Sequence, residues 1–305
     1  MKIIATSHDP GMTFFLADLK SKEHLIVPFQ KGQENTNCDN SRPAHRPFGI
    51  TWDKENIYIA SRKSLLVYDD QLNWVDKLEI LDENTHQITM VEDKIAVCMT
   101  RKDCIALINP KTKETEMFHP IHGWAKNFPT LSNSRGGEPT QEGRERFHIN
   151  SILYINKKIY FLMQRPLKLI ELDLKSKKSK TIFSHFSYYL THGILVDQDK
   201  GVHQAKTLRL SGKLFKMHKE HTITDSHPMF FARGICGPYD SPWISLNNRI
   251  LFDADITSEP SGHKKIQDNV DEKLKHLRIN DMRSTNSIDD AHHNPNPFPY
   301  SGFRE

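Results

Sequence analysis

The chain lacks the marks of several large protein classes. It contains no apolar run of about 18 residues, the length a helix needs to cross a bilayer. Met1–Leu16 has no basic segment followed by an apolar one, so no secretory leader is expected. Cysteine is scarce. Cys38, Cys98, Cys104 and Cys236 show no C-x-x-C spacing, which disfavours a thiolate metal site. Cys98 and Cys104 fall on neighbouring expected strands, where a disulfide is conceivable, but buried free thiols in a reducing cytoplasm are the preferred reading. No nucleophile elbow, P-loop or dinucleotide fingerprint is present. No segment before residue 260 has a helical period, which disfavours alternating βα units.

Charge of neither sign dominates. Lys and Arg number 42 against 38 Asp and Glu, a net +4. The densest cationic run, Lys175–Lys180, falls where a hairpin turn is expected, so it reads as a solvated turn and no nucleic-acid partner is expected. No membrane partner is expected either.

What the chain does have is a short phrase used five times. The copies are Pro47-Phe48-Gly49-Ile50, His86-Gln87-Ile88, His148-Ile149-Asn150-Ser151-Ile152, His192-Gly193-Ile194 and Arg233-Gly234-Ile235. The residues two places before each isoleucine are Phe48, His86, Asn150, His192 and Arg233, at spacings of 38, 64, 42 and 41. The long interval holds a polar insertion, residues 119–147, rich in Gly, Pro and Asn. Without it the period is about 40 residues, one four-stranded propeller blade. Each phrase is followed by short β-branched or alternating runs such as Asn56–Ser61, Lys94–Met99 and Lys158–Met163. Asp53-Lys54, Asp69-Asp70 and Asn109-Pro110 punctuate them.

The expected fold is all-β, a five-bladed β-propeller spanning residues 1–259. Three N-terminal strands, Lys2–Thr6, Met12–Leu16 and His24–Val27, carry no phrase of their own. Joined to an inner strand at Phe231–Cys236 they would complete the fifth blade and remove the free sheet edges. Six blades are the alternative if Trp243–Asp255 joins the ring. Residues 260–305 read as an irregular polar arm, partly disordered or packed on a partner, with a short helix conceivable at Lys273–Ile279.

The order of the phrases resembles an uncharacterised bacterial β-propeller family of conserved hypothetical proteins, some labelled TPR-containing or found near sulfotransferases. The residues that carry the resemblance are Gly49-Ile50, His86-Gln87-Ile88, His148 to Ile152, Thr191-His192-Gly193 and Ala232-Arg233-Gly234-Ile235. It covers roughly residues 2–240. The family expects proline and serine around His192, where this chain has threonine and glycine. The resemblance implies a fold and a site location, and no established reaction.

Histidine is abundant at 17 residues. In a propeller the phrases converge on one axis, which brings His86, His148 and His192 together as candidate ligands of a divalent metal such as Fe, Zn or Cu. Asn150 and Arg233 are candidate ligand-binding residues, the guanidinium being suited to a carboxylate, sulfate or phosphate. In a regular strand His148 and Asn150, two residues apart, would face the same way. The leading expectation is a metal-dependent enzyme acting on a small polar or anionic molecule. The alternatives are a noncatalytic propeller that binds a protein, glycan or small anion, and a hydrogen-bonded ring around channel waters. A protein partner is conceivable through the 119–147 loop or the C-terminal arm.

Overall fold

The computed structural model describes residues 2–7, 12–18, 21, 23–33, 47–80, 85–118, 147–164, 167–185, 194–196, 208–210, 214–217, 223–227, 232–236, 243–246, 249–251, 279–284 and 298–300. Every regular element among them is a β-strand. The first strands are β1 (Lys2–Ser7), β2 (Met12–Asp18) and β3 (His24–Pro28). Then come β4 (Pro47–Trp52), β5 (Ile57–Ser61), β6 (Ser64–Tyr68) and β7 (Trp74–Glu79), which pair in that order as one antiparallel sheet. The same meander repeats in β8 (Thr85–Val91), β9 (Lys94–Met99), β10 (Cys104–Ile108) and β11 (Thr115–Phe118). It repeats again in β12 (Ile149–Ile155), β13 (Lys158–Gln164), β14 (Leu167–Asp173) and β15 (Lys178–His185).

Shorter pieces follow. Strands β16 (Ile194–Val196) and β17 (Leu208–Leu210) pair, as do β18 (Leu214–Met217) and β19 (Ile223–His227). A three-stranded sheet contains β20 (Ala232–Cys236), β21 (Trp243–Leu246) and β22 (Arg249–Leu251). The last strand, β23 (Ile279–Ser284), pairs with β1 and heads the sheet β23-β1-β2-β3.

The sheets stack face to face about one axis, a β-propeller. Three apolar clusters fill the seams between successive sheets. Ile4, Phe14 and Leu16 meet Ile50, Trp52 and Ile59 in the first. Tyr58, Leu65 and Val67 meet Ile88, Ile95 and Val97 in the second. Cys98, Ile105 and Leu107 meet Ile152, Phe161 and Ile170 in the third. A middle strand therefore buries both of its faces. This is why β5 and β10 are buried along their whole length, with apolar residues at nearly every position. Outer strands such as β7 bury one face and keep a mixed pattern. Cys98 and Cys104 belong to different seams on opposite faces of one sheet, and both are buried and outside any disulfide.

Closure differs in detail from the sequence reading. The strand that completes the N-terminal sheet is β23 and not the expected Phe231–Cys236, whose described part, β20 (Ala232–Cys236), begins a separate sheet. Strand β23 does not carry the phrase in full, because its Ile279-Asn280-Asp281-Met282 has methionine where the other copies have isoleucine. Five blades are thus not confirmed. Round the axis β4 lies beside β8, β8 beside β12, β12 beside β16, β16 beside β20, β20 beside β23 and β23 beside β4. A second piece of the C-terminal segment also packs on the ring: Phe298 is buried edge-on against Trp52, centroids 5.1 Å apart. The expected helix at Lys273–Ile279 lies outside the described residues except for Ile279, which is in β23.

Turns at the two ends of the sheets have different chemistry. At one end, side-chain carboxylates and amides hold the hairpins. Asp53 Oδ1 accepts from the amides of Glu55 and Asn56, Asp69 Oδ1 from Gln71 and Asn73, and Asn109 Oδ1 from Lys111 and Thr112. These are the Asp and Asn punctuators of the sequence. At the other end lie the starts of β4, β8 and β12, and with them the candidate site.

Candidate functional site: a ring of bulges at one end of the axis

Four of the five phrases are β-bulges, and His192-Gly193 of the remaining one lies outside the described residues. Pairing of β4 with β5 passes from Pro47–Ser61 directly to Ile50–Ile59, so Phe48 and Gly49 together face Ala60. In β8 it passes from Thr85–Met99 to Ile88–Val97, so His86 and Gln87 face Cys98. In β12, Ile149 pairs with Met163 and Ser151 with Leu162, which leaves Asn150 as the extra residue. In β20 the jump is from Ala232–Leu246 to Ile235–Ile244, across Arg233 and Gly234. A bulge bends the strand and re-aims the extra side chain. Phe48, His86, Asn150 and Arg233 therefore occupy one register position on four sheets.

The register adds a residue that sequence reading missed. Between β1 and β23, Thr6 pairs with Asp281 and Ser7 with Ile279, so Asn280 is the extra residue. Ile279-Asn280-Asp281-Met282 stands in the register of Ile149-Asn150-Ser151-Ile152. The recoverable signal was the shared Ile-Asn pair two positions before an apolar residue.

Clasps between neighbouring sheets hold these bulges. Thr6 Oγ1 donates to the Phe48 carbonyl at 2.5 Å, and Thr100 Oγ1 donates to the Ile149 carbonyl at 2.6 Å. Thr85 Oγ1 donates to the Arg62 carbonyl at 3.1 Å. In each case a residue at the end of a second strand, or in the turn after it, meets the start of the next inner strand. Gln87 adds a stitch, its Oε1 accepting from the Ile152 amide at 3.4 Å.

Glycine is required at one point of this packing. A Cβ on Gly49 would stand 2.7 Å from both the His86 carbonyl oxygen and the Ile88 nitrogen. The missing side chain lets β4 lie directly on the β8 backbone. Phe48 then rests on His86, ring centroids 4.7 Å apart. His86 in turn meets His148 at 5.0 Å with the rings tilted by 60°. Three rings from three successive sheets thus form one row.

His148 reaches this row by a different route from His86. It precedes β12 and has a left-handed backbone, φ 54°. Asp103 holds it there: Oδ1 accepts from the His148 amide at 3.1 Å, and the same carboxylate accepts from the Phe147 amide at 3.1 and 3.2 Å. The Phe147 carbonyl accepts from the Gln164 amide at 2.9 Å. The alternation expected between His148 and Asn150 does not apply, because one residue lies before the strand and the other is the bulge. His86 and His148 are half-buried, and Asn150 is fully buried.

The structure therefore brings His86 and His148 together and puts Asn150 in register with His86. Arg233 has its backbone at the equivalent bulge, but its side chain lies outside the described residues. His192, with the 119–146 part of the insertion, also lies outside them. Among the described residues no group of three or more His, Cys, Asp and Glu is placed to hold a metal ion. Two adjacent imidazoles supply two nitrogen donors of the kind that bind Zn, Fe and Cu, and a metal centre would need further ligands.

Comparison with known proteins places the fold and nothing finer. No family model matches the chain. No curated protein matches it either. Among solved structures it is similar to a chain from the nidogen/laminin complex, with 9% identity, 93% of this chain and 98% of that chain covered and a TM-score of 0.61. It is also similar to a protein of unknown function from Bacteroides caccae, with 9% identity, coverage of 92% and 97% and a TM-score of 0.57. Similarity at that identity is similarity of fold, and the resemblance drawn from the phrases receives no support at the family level.

Proposed function

We propose that this protein is a six-bladed propeller that binds a small polar or anionic molecule at the bulge end of its axis. In this reading His86 and His148, with His192, hold a divalent metal ion, and the protein is a metal-dependent enzyme. The observation that supports it is the 5.0 Å approach of the His86 and His148 rings, from sheets 62 residues apart in sequence. Two imidazoles in contact within a half-buried site are a poor choice for packing alone. Each ring offers a nitrogen of the kind that coordinates a metal ion or hydrogen-bonds a polar ligand. Three neutral imidazoles would leave coordination positions open for substrate. Asn150 and Arg233 would orient that substrate, the guanidinium favouring a carboxylate, phosphate or sulfate group.

The test is metal analysis of untagged protein purified without chelators, followed by titration with Zn²⁺ and Fe²⁺. Stoichiometric metal that is lost in both His86→Ala and His148→Ala, each still folded, is the expected result. Asn150→Ala should keep the metal. A wild-type protein that contains no metal and binds none on titration eliminates the metal reading.

A further inference from the structure

We propose that Arg62 is the anchor of an oxyanion site at the bulge end of the ring, so that the ligand carries a phosphate, sulfate or carboxylate group. Arg62 lies in the two-residue turn between β5 and β6, at the end where β4 begins. Its backbone is left-handed, φ 34°, which is unusual for a residue with a side chain. Its carbonyl accepts from both the amide and the hydroxyl of Thr85, the residue immediately before His86. The main chain of Arg62 is therefore clasped to the start of the inner strand that carries the histidine row.

The side chain is the unusual part. Arg62 is only 4% exposed. Its Nη1 is buried and has no hydrogen-bond partner among the described residues. Some exposed lysines have carboxylate partners, as Lys177 has Glu116 at 2.7 Å and Lys113 has Asp76 at 3.0 Å. Arg62, although buried, takes part in none of the ion pairs found among the described residues. An arginine guanidinium brings a positive charge and five N–H donors in a planar fork. A buried charge with an unmet donor is costly unless something pairs with it. An oxyanion is the partner that matches a guanidinium in charge and in the geometry of its donors.

A cluster of buried charge in another sheet shows the contrast. Glu171 is 6% exposed, but its two oxygens accept from Lys158 Nζ at 2.7 Å and Tyr160 Oη at 2.8 Å. That group is satisfied within its own sheet and needs no ligand. Arg62 stands beside the residue pair that begins the candidate site.

The inference rests on the axial-site reading for the identity of the ligand, and its test needs no metal. Wild-type protein in a chelator would be titrated with inorganic phosphate, sulfate and acetate by calorimetry and thermal melting, at ionic strength held constant with chloride. The expected result is saturable stabilisation by at least one of the three over chloride. Arg62→Met should weaken that binding at least tenfold, with Arg62→Lys intermediate. In chloride alone Arg62→Met should melt no lower than wild type, since it removes an uncompensated charge. No saturable response in the wild type overturns the proposal even if neither variant folds. An equal response in wild type and folded Arg62→Met also overturns it, because the anions then act elsewhere. Metal binding without an anion response would sink the anchor and leave the histidine site standing, and the reverse result would do the opposite.

Discussion

Gly49 and His86 approach so closely that one methyl group would not fit between them. A Cβ at residue 49 would stand 2.7 Å from the His86 carbonyl oxygen and 2.8 Å from the Gln87 Cα. The obstructing atoms are backbone, which cannot swing aside as a side-chain tip can. Gly49→Ala should therefore push β4 away from β8 and destabilise the protein by about 1–3 kcal/mol, the usual range for overpacking. Urea unfolding would measure the loss. A variant as stable as wild type would show that the two strands are free to separate.

Asp103 supplies the second fixed relationship, because one carboxylate accepts from two successive amides that lead into His148. Asp103→Ala leaves both donors without that acceptor, at a cost of about 1–3 kcal/mol for each one that stays buried. Asp103→Asn keeps an acceptor oxygen and tolerates the left-handed φ of 49° at this position, so it should cost less. If Asp103 serves the site, the alanine variant should also lose the close contact of His148 with His86. Histidine ring NMR shifts would record that change.

Closure by the C-terminal segment predicts a large effect from a residue far from the site. Phe298 is 3% exposed and packs edge-on against Trp52 in the first seam. Phe298→Ala should cost about 3–5 kcal/mol, the range for emptying a buried aromatic position. Thermal melting would detect it as a clear drop in Tm. An unchanged Tm would mean that this part of the chain contributes nothing to the seam.

Alkaline pH should weaken the fold through its buried tyrosines. Burial pushes the Tyr68 phenol up to about 12 from 10.0, while Gln33 Nε2 donates to its oxygen at 2.7 Å. Burial, with Asp53 beside it, also raises Tyr58, and burial with Glu171 raises Tyr160. Above pH about 10 the unfolded chain releases a phenolic proton that the folded chain retains. Stability that is complete below 10 is therefore lost as pH rises through about 12. Urea midpoints between pH 9 and 12 should fall, and Tyr68→Phe should flatten the slope. Its own cost at neutral pH is about 1 kcal/mol, from the hydrogen bond to Gln33.

The sequence by itself determined the all-β class, the blade period and the places where four of the inner-strand bulges fall. These are local properties. Fully buried middle strands force runs such as Ile57–Ser61 to be apolar at almost every place, and Asp or Asn is needed where Asp53, Asp69 and Asn109 close the turns. The phrase repeats because a bulge before Ile50, Ile88, Ile152 and Ile235 answers the same packing demand on each sheet. That Phe48, His86, Asn150 and Arg233 share one position was therefore readable from spacing alone.

Only the tertiary structure decided which strand closes the N-terminal sheet, and which side chains meet. β23 earns its place by hydrogen-bond register with β1, and that relation leaves almost no trace in a segment with methionine at the isoleucine position. The His86–His148 contact depends on the missing Cβ of Gly49, the Asp103 carboxylate under two amides and the left-handed turn at His148. None of the three lies near both histidines in sequence. Arg62 was silent for the same reason. An arginine in a two-residue turn reads as solvent-exposed, and only the stacking of one sheet against the next buries its side chain.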